Sequence, residues 1–219
     1  MLTINCALSY RFLISGGKDR SLYLYQANPS FDHADVSSAV PPYLPCAYVG
    51  KAHKRIIWDI AWVTVDDDMG VFASVSRDGS VKIWSILSDR KGENNLSKLV
   101  CLTSLSPFGV KAVTAVDVTA QVLSLSSGDQ QDAGWLLAFG AESGCMQLWF
   151  LSETLLKVAD VSSDIDMCSL VHTVAPEYCH GAAVRRLRWC AEESEDVGLR
   201  WKLASCGDDH CVRVFNVTP

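Results

Sequence analysis

The sequence predicts an all-β fold, a partial β-propeller of about three and a half four-stranded blades. Three features predict it: a four-fold internal repeat, period-two alternation within each repeat, and an aromatic residue closing each one. The repeats run Phe12 to Tyr25, Val71 to Trp84, Leu136 to Trp149 and Leu203 to Phe215. Each reads as an apolar strand, a tight turn holding an acid or Gly, and an alternating strand such as Val81-Lys82-Ile83. These are strands b and c of a blade.

Strand a precedes two of them. His53 to Trp62 aligns without gaps on His180 to Trp189, with apolar residues four and seven places after the His and Trp nine places after it. In the third blade Val113–Val118 takes the same place without the His. Strand d is read at Cys46–Val49 and Leu99–Leu102. The resulting division is 1–49 (a partial blade, strands b to d), 50–104 (a blade), 105–175 (a blade with long insertions) and 176–219 (a final blade lacking strand d). The chain thus reads as a fragment, or a truncated gene model, with open edges at Phe12–Ser15 and Val212–Phe215 that invite association.

The closing aromatics fall at Tyr25, Trp84, Trp149 and Phe215, intervals of 59, 65 and 66 residues. A minimal blade of this kind needs about 40–45. Insertions at about 27–44, 63–69, 87–98, 119–134, 152–170 and 191–200 absorb the excess. All lie between strands a and b or between c and d, so one rim is elaborated and the other trim.

Composition limits the function. With 49% hydrophobic and 20% charged residues the chain is globular, and a net charge of −6 excludes a wholly basic nucleic-acid binder. Nine Cys form no Cys-x-x-Cys pair, so no metal is expected and buried free thiols in a reducing compartment are. Neither a signal peptide nor an apolar membrane span is read, which points to cytoplasm and nucleus without membrane contact. The acidic clusters Asp66–Asp68 and Glu192–Asp196 read as solvated loops.

His53, Ser74 and Asp78 have the residue types of a catalytic triad. His180, Ser205 and Asp209 repeat them, with Phe215 where the first set has Trp84. A catalytic centre does not recur blade after blade, so the sets read as internal fastening. No phosphate-binding Gly loop or zinc-protease motif occurs; no enzyme activity, cofactor or small-molecule substrate is expected.

The repeats are similar to WD40 repeats. That resemblance implies a tetrad in which the turn acid bonds the His, the His meets the strand-b Ser, and the Ser meets the strand-c indole. Ala52 to Asp59 with Ser76 to Trp84, Gly140 to Gly144 with a turn one residue longer than the others, and Ala204 to His210 resemble more narrowly the second subunits of the Elongator complex. This implies a longer chain of two propellers, of which these are the last blades. It further implies a scaffold joining the large first subunit to the catalytic third one, in support of tRNA wobble-uridine modification; an older reading adds transcription elongation. The alternative is a generic WD40 adaptor in kinase signalling or chromatin recruitment.

Charge separates the rims. By this assignment 17 of the 25 acids lie in the insertions. The trim rim carries Lys54, Arg55, Arg77, Arg185 and Arg186 among its cations, and these form a candidate interaction surface for an anionic partner. That partner is an acidic subunit face or, through weak or indirect contact, tRNA.

Overall fold

A computed structural model describes residues 3–6, 12–31, 41–65, 69–88, 97–120, 122–123, 133–153, 167–194 and 198–217. They form four antiparallel sheets laid side by side in chain order. The first holds β1 (Thr3–Cys6), β2 (Phe12–Gly16), β3 (Leu22–Ala27) and β4 (Tyr43–Val49) in that order. The second holds β5 (Ile57–Val65), β6 (Met69–Ser76), β7 (Val81–Ser88) and β8 (Ser97–Leu105). In the third, β9 (Val113–Val118) and the short β10 (Val122–Leu123) share one edge of β11 (Ala133–Ala141), followed by β12 (Met146–Ser152) and β13 (Cys168–Thr173). A single 3-10 turn, Pro176–Tyr178, leads to β14 (Val184–Ser194), β15 (Gly198–Gly207) and β16 (Val212–Val217). The fold is a partial β-propeller.

Three features correct the sequence reading. The first blade does not start at strand b. Thr3–Cys6 pairs β2, with Ile4 opposite Ser15 and Cys6 opposite Leu13, so the supposed open edge at Phe12–Ser15 is a paired one. Four residues without the His and Trp marks that accompany β5 and β14 give too little pattern to read, but β2 offers a ladder that they complete. Secondly, strands invade several insertions. β14 and β15 continue as one hairpin to Ser194 opposite Gly198, so Glu192 stands on a strand, paired with Lys202 at 2.7 Å. β13 begins inside the segment read as the insertion 152–170. Asp66–Asp68, Glu195 and Asp196 lie outside the described residues. Thirdly, the turn at Glu142 is not longer than the others.

That turn has one form in every blade. Gly17, Ser76, Ala141 and Gly207 each accept a backbone bond from the residue three places on. The donors Arg20, Gly79, Gly144 and His210 all have positive φ, at 69, 85, 87 and 60°. Glycine occupies two of these positions freely, whereas Arg20 and His210 hold a conformation costly for a residue with Cβ.

The core lies in the seams between blades. Ile14, Leu22 and Leu24 pack on Ile57 and Ile60 of the next inner strand. Val75, Val81 and Ile83 then meet Val113 and Val116, and Ala138, Met146 and Leu148 meet Val184 and Leu187. One geometry serves all three seams: strands b and c present alternate apolar residues, and the following strand a answers with two apolar residues three apart. At Gly140 the approach is close enough that a Cβ would stand 2.6 Å from Val184 Cγ1.

A carboxylate also crosses two of the seams. Asp59 on β5 accepts the Val116 N–H at 3.3 Å, and Asp117 on β9 accepts the Trp189 N–H at 2.7 Å. Thr114 adds a hydroxyl bond to Val184 O at 2.6 Å.

Candidate functional site: the blade fastenings and the basic rim

In the second blade the loop before β5 brings His53 over β6 and β7. Its Nε2 lies 2.7 Å from Ser74 Oγ, which accepts the Trp84 indole N–H at 2.9 Å. Ser80 gives its hydroxyl hydrogen to the ionised Asp78, so His53 Nδ1 must donate to Ser80 and Nε2 is left to accept the Ser74 hydroxyl hydrogen. Nδ1 then carries the ring proton and donates to Ser80 Oγ at 2.9 Å, and Ser80 in turn donates to Asp78 Oδ1 at 2.5 Å. The chain of donors runs one way, from Trp84 through Ser74, His53 and Ser80 to Asp78. Ser80 is the member sequence reasoning missed: the acid stands 3.5 Å from Nδ1, and the serine hydroxyl connects the two.

The last blade is wired differently. His180 Nε2 meets Ser205 Oγ at 2.8 Å, but Nδ1 bonds Asp209 Oδ1 directly at 2.8 Å. Cys211 stands where Ser80 stands, and its thiol turns instead to Asp209 O at 3.4 Å. Phe215 offers no donor to Ser205. Arg213 supplies an additional bond to Asp209 Oδ2 at 3.1 Å.

The other two blades lack the set. Asp19 of the first binds the Tyr23 hydroxyl at 2.8 Å. In the third, Phe139 fills the Ser74 position and is fully buried, and Trp149 donates to Gln147 at 3.0 Å.

Electrostatics agree with fastening. Burial holds the His53 imidazole down at about 4, Lys82 adding to this and Asp78 opposing it. Burial also works against ionisation of Asp78, but bonds from the Ser80 hydroxyl, Ser80 N–H and Lys54 N–H outweigh it and bring the carboxyl down to about 2. Neutral His beside ionised Asp is what the one-way donor chain requires. Ser74 is fully buried, with its oxygen and its hydrogen both engaged, and so meets no substrate.

Asp59 is the buried acid outside the fastenings, 4% exposed. Burial pushes its carboxyl up to about 6, against the pull of Arg186 at 3.5 Å and the Val116 and Ile60 N–H groups. A raised carboxyl contributes stability that is present below its unfolded value near 3.8 and lost as pH rises through about 6. His53, lowered, does the opposite: its contribution is present above 6.5 and lost as pH falls through about 4. The stability of the parent relative to Asp59→Asn is expected to rise by about 2 kcal/mol as pH falls from 7 to 4. Urea unfolding of both proteins across this range checks it; a pH-independent difference would show that Asp59 ionises normally.

The five rim cations are not equivalent. Arg185 holds both oxygens of Asp208, and Arg186 reaches Asp59. Lys54, Arg55 and Arg77 are exposed, and among the described residues no carboxylate forms an ion pair with them. Arg77 N–H bonds Ile56 O at 3.0 Å and Ser76 Oγ bonds Arg55 O at 3.3 Å, so the two arginines rise from joined loops. The free basic surface is therefore centred on the second blade, and the last blade's arginines are neutralised. Among the described residues no group of three His, Cys, Asp or Glu side chains could hold a metal ion.

Comparison with known proteins gives two findings. The family model for the WD domain, G-beta repeat, matches residues 44–85, which run from β4 into β7. Elongator complex protein 2 of Arabidopsis thaliana is 33% identical over 207 residues, 93% of this chain and 21% of that protein. The Dictyostelium discoideum protein of that name is 28% identical over 99% of this chain, and the Homo sapiens one 28% over 94%. The chain spans between a fifth and a quarter of the length of these relatives. With four blade sheets, a repeat match and these relatives together, the chain carries a WD repeat at residues 44–85 and, over nearly its whole length, is similar to Elongator complex protein 2.

Proposed function

We propose that the chain is part of a non-catalytic scaffold subunit of an Elongator complex, present in cytoplasm and nucleus. In this reading it supports tRNA wobble-uridine modification by holding the large first subunit and the catalytic third subunit together; a part in transcription elongation follows from the same assembly. The observation that carries the reading is the similarity to Elongator complex protein 2 along 93–99% of the chain. The wiring of His53, Ser74 and Asp78 supports it, because their hydrogen-bonding groups are turned on one another and leave no reactive group facing solvent.

The contact surface in this reading is the trim rim, with Lys54, Arg55 and Arg77 free and Arg185 and Arg186 at its neutralised end. An acidic subunit face or a tRNA backbone suits such a surface, and binding to it weakens with salt. Affinity purification of the tagged full-length protein is expected to recover the first and third Elongator subunits. Arg55→Glu with Arg77→Glu is expected to reduce that recovery, or the wobble-uridine modification, by tenfold or more. Recovery of neither subunit by the parent protein overturns the scaffold reading; an unaffected double variant overturns the rim alone.

A further inference from the structure

Two cysteines from neighbouring blades meet in the seam between the third and the fourth. Cys145 follows the turn residue Gly144 and precedes β12; Cys179 follows the 3-10 turn and precedes His180. Two backbone bonds bracket them: His180 N–H donates to Gly144 O at 3.2 Å, and Val174 N–H donates to Met146 O at 3.1 Å. The segment from Val174 to His180 therefore folds over Cys145. Within it, the Cys179 N–H donates to Pro176 O at 3.2 Å and turns the end of the segment back. The Cys179 thiol lies 3.5 Å from Val174 O and within hydrogen-bonding reach of the Cys145 thiol. Both side chains are half-buried.

The first seam has the same construction with other residues. There His53 N–H donates to Arg20 O at 3.4 Å. The two seats, one after the turn residue and one before the His, hold Ser21 and Ala52, both buried. Such a seam needs two small side chains and no sulfur, yet the last one has a thiol in each seat. We propose that Cys145 and Cys179 form a dithiol site that hydrogen peroxide oxidises to a disulfide, stapling the turn of the third blade to the loop entering the fourth. One sulfur attacks a peroxide oxygen as its thiolate; the O–O bond breaks, and the departing hydroxide takes up a proton to become water. The second sulfur then displaces the hydroxyl of the resulting sulfenic acid as water and forms the S–S bond. Two thiols thereby lose two protons and two electrons, and one peroxide becomes two waters. Burial pushes the Cys179 thiol up, which keeps the pair reduced until an oxidant is supplied. Because Gly144 O holds the His180 N–H, the staple lies beside the last blade's fastening and keeps the two blades from parting. The proposal rests on the seam alone and stands apart from the Elongator reading.

Peroxide treatment of the full-length protein tests it, followed by maleimide blocking of the remaining thiols and mass spectrometry of an unreduced tryptic digest. A peptide pair joined through Cys145 and Cys179 is expected, and dithiothreitol should separate it. Maleimide labelling should fall at both residues in equal measure. Cys145→Ser and Cys179→Ala each restore the residue that the first seam uses. In either variant the linked pair should be absent, and the remaining cysteine should keep its label or be captured by dimedone as the sulfenic acid. The unsubstituted protein decides the matter by itself if a variant fails to fold. Full labelling of both cysteines while the exposed Cys190 and Cys211 oxidise, loss of label at one of the pair alone, or a disulfide from either to Cys206 or Cys211 would each overturn the proposal.

Discussion

Replacing Asp78 by Ala is expected to lower the free energy of unfolding by about 3 kcal/mol, a fall in Tm of roughly 6–12 °C for a chain of this size. The carboxylate closes the donor chain. It accepts from the Ser80 hydroxyl at 2.5 Å, from Ser80 N–H at 2.9 Å and from Lys54 N–H at 2.7 Å. Truncation leaves three donors without an acceptor, the two of Ser80 half-buried and that of Lys54 exposed; a buried loss of this kind costs about 1–3 kcal/mol, and less where water enters. The direction of the chain matters too: with Asp78 gone, the Ser80 hydroxyl is free to reverse and His53 loses its fixed tautomer. Thermal melts of the parent, Asp78→Ala and Asp78→Asn check this, the amide retaining one acceptor oxygen and an intermediate Tm. An unchanged melt for Asp78→Ala would remove the fastening from the account of stability.

Gly144→Ala is expected to cost more than about 3 kcal/mol, because strain and overlap coincide there. Its φ of +87° disfavours any residue with a Cβ, and that Cβ would overlap the His180 carbonyl, which is backbone and cannot swing aside. Gly109 separates the two causes. Its φ is +65°, but a Cβ there meets nothing within 4 Å, so Gly109→Ala should lose only about 1 kcal/mol. Denaturant unfolding of the pair measures the difference. Equal losses would mean that the third and fourth blades do not meet closely at this turn. Because the His180 N–H also bonds Gly144 O at 3.2 Å, the loss should spread to the last blade's fastening.

Why some of this was legible in the sequence and some was not follows from the length over which a pattern is sampled. The seams were legible. Val81 and Ile83 alternate with Lys82, and Ile57 and Ile60 recur as Val184 and Leu187, because each packs against a neighbour of the same construction. The fastenings were legible as residue types, since His53 and His180 recur at one spacing, but their wiring was not. Ser80 and Cys211 differ by one atom: the Ser80 hydroxyl stands between Asp78 and His53, whereas the Cys211 thiol turns to Asp209 O and the acid meets the imidazole directly. β1 is four residues long and carries no His or Trp, so only the free edge of β2 identifies it. The charge of the rim was legible as a count but not as a balance: Arg186 meets Asp59 across two blades, a proximity created by the curvature of the row and by no sequence spacing.

The carboxylates that cross the seams carry a kinetic consequence. Asp59 holds the backbone of the third blade from the second, and Asp117 holds that of the fourth from the third. The third blade, coupled by these carboxylates on both sides, opens only when two couplings are lost, whereas the second and fourth each hold one. Amide exchange should therefore be slowest in β9, β11 and β12. Such a gradient makes the third blade the part of the row that opens last.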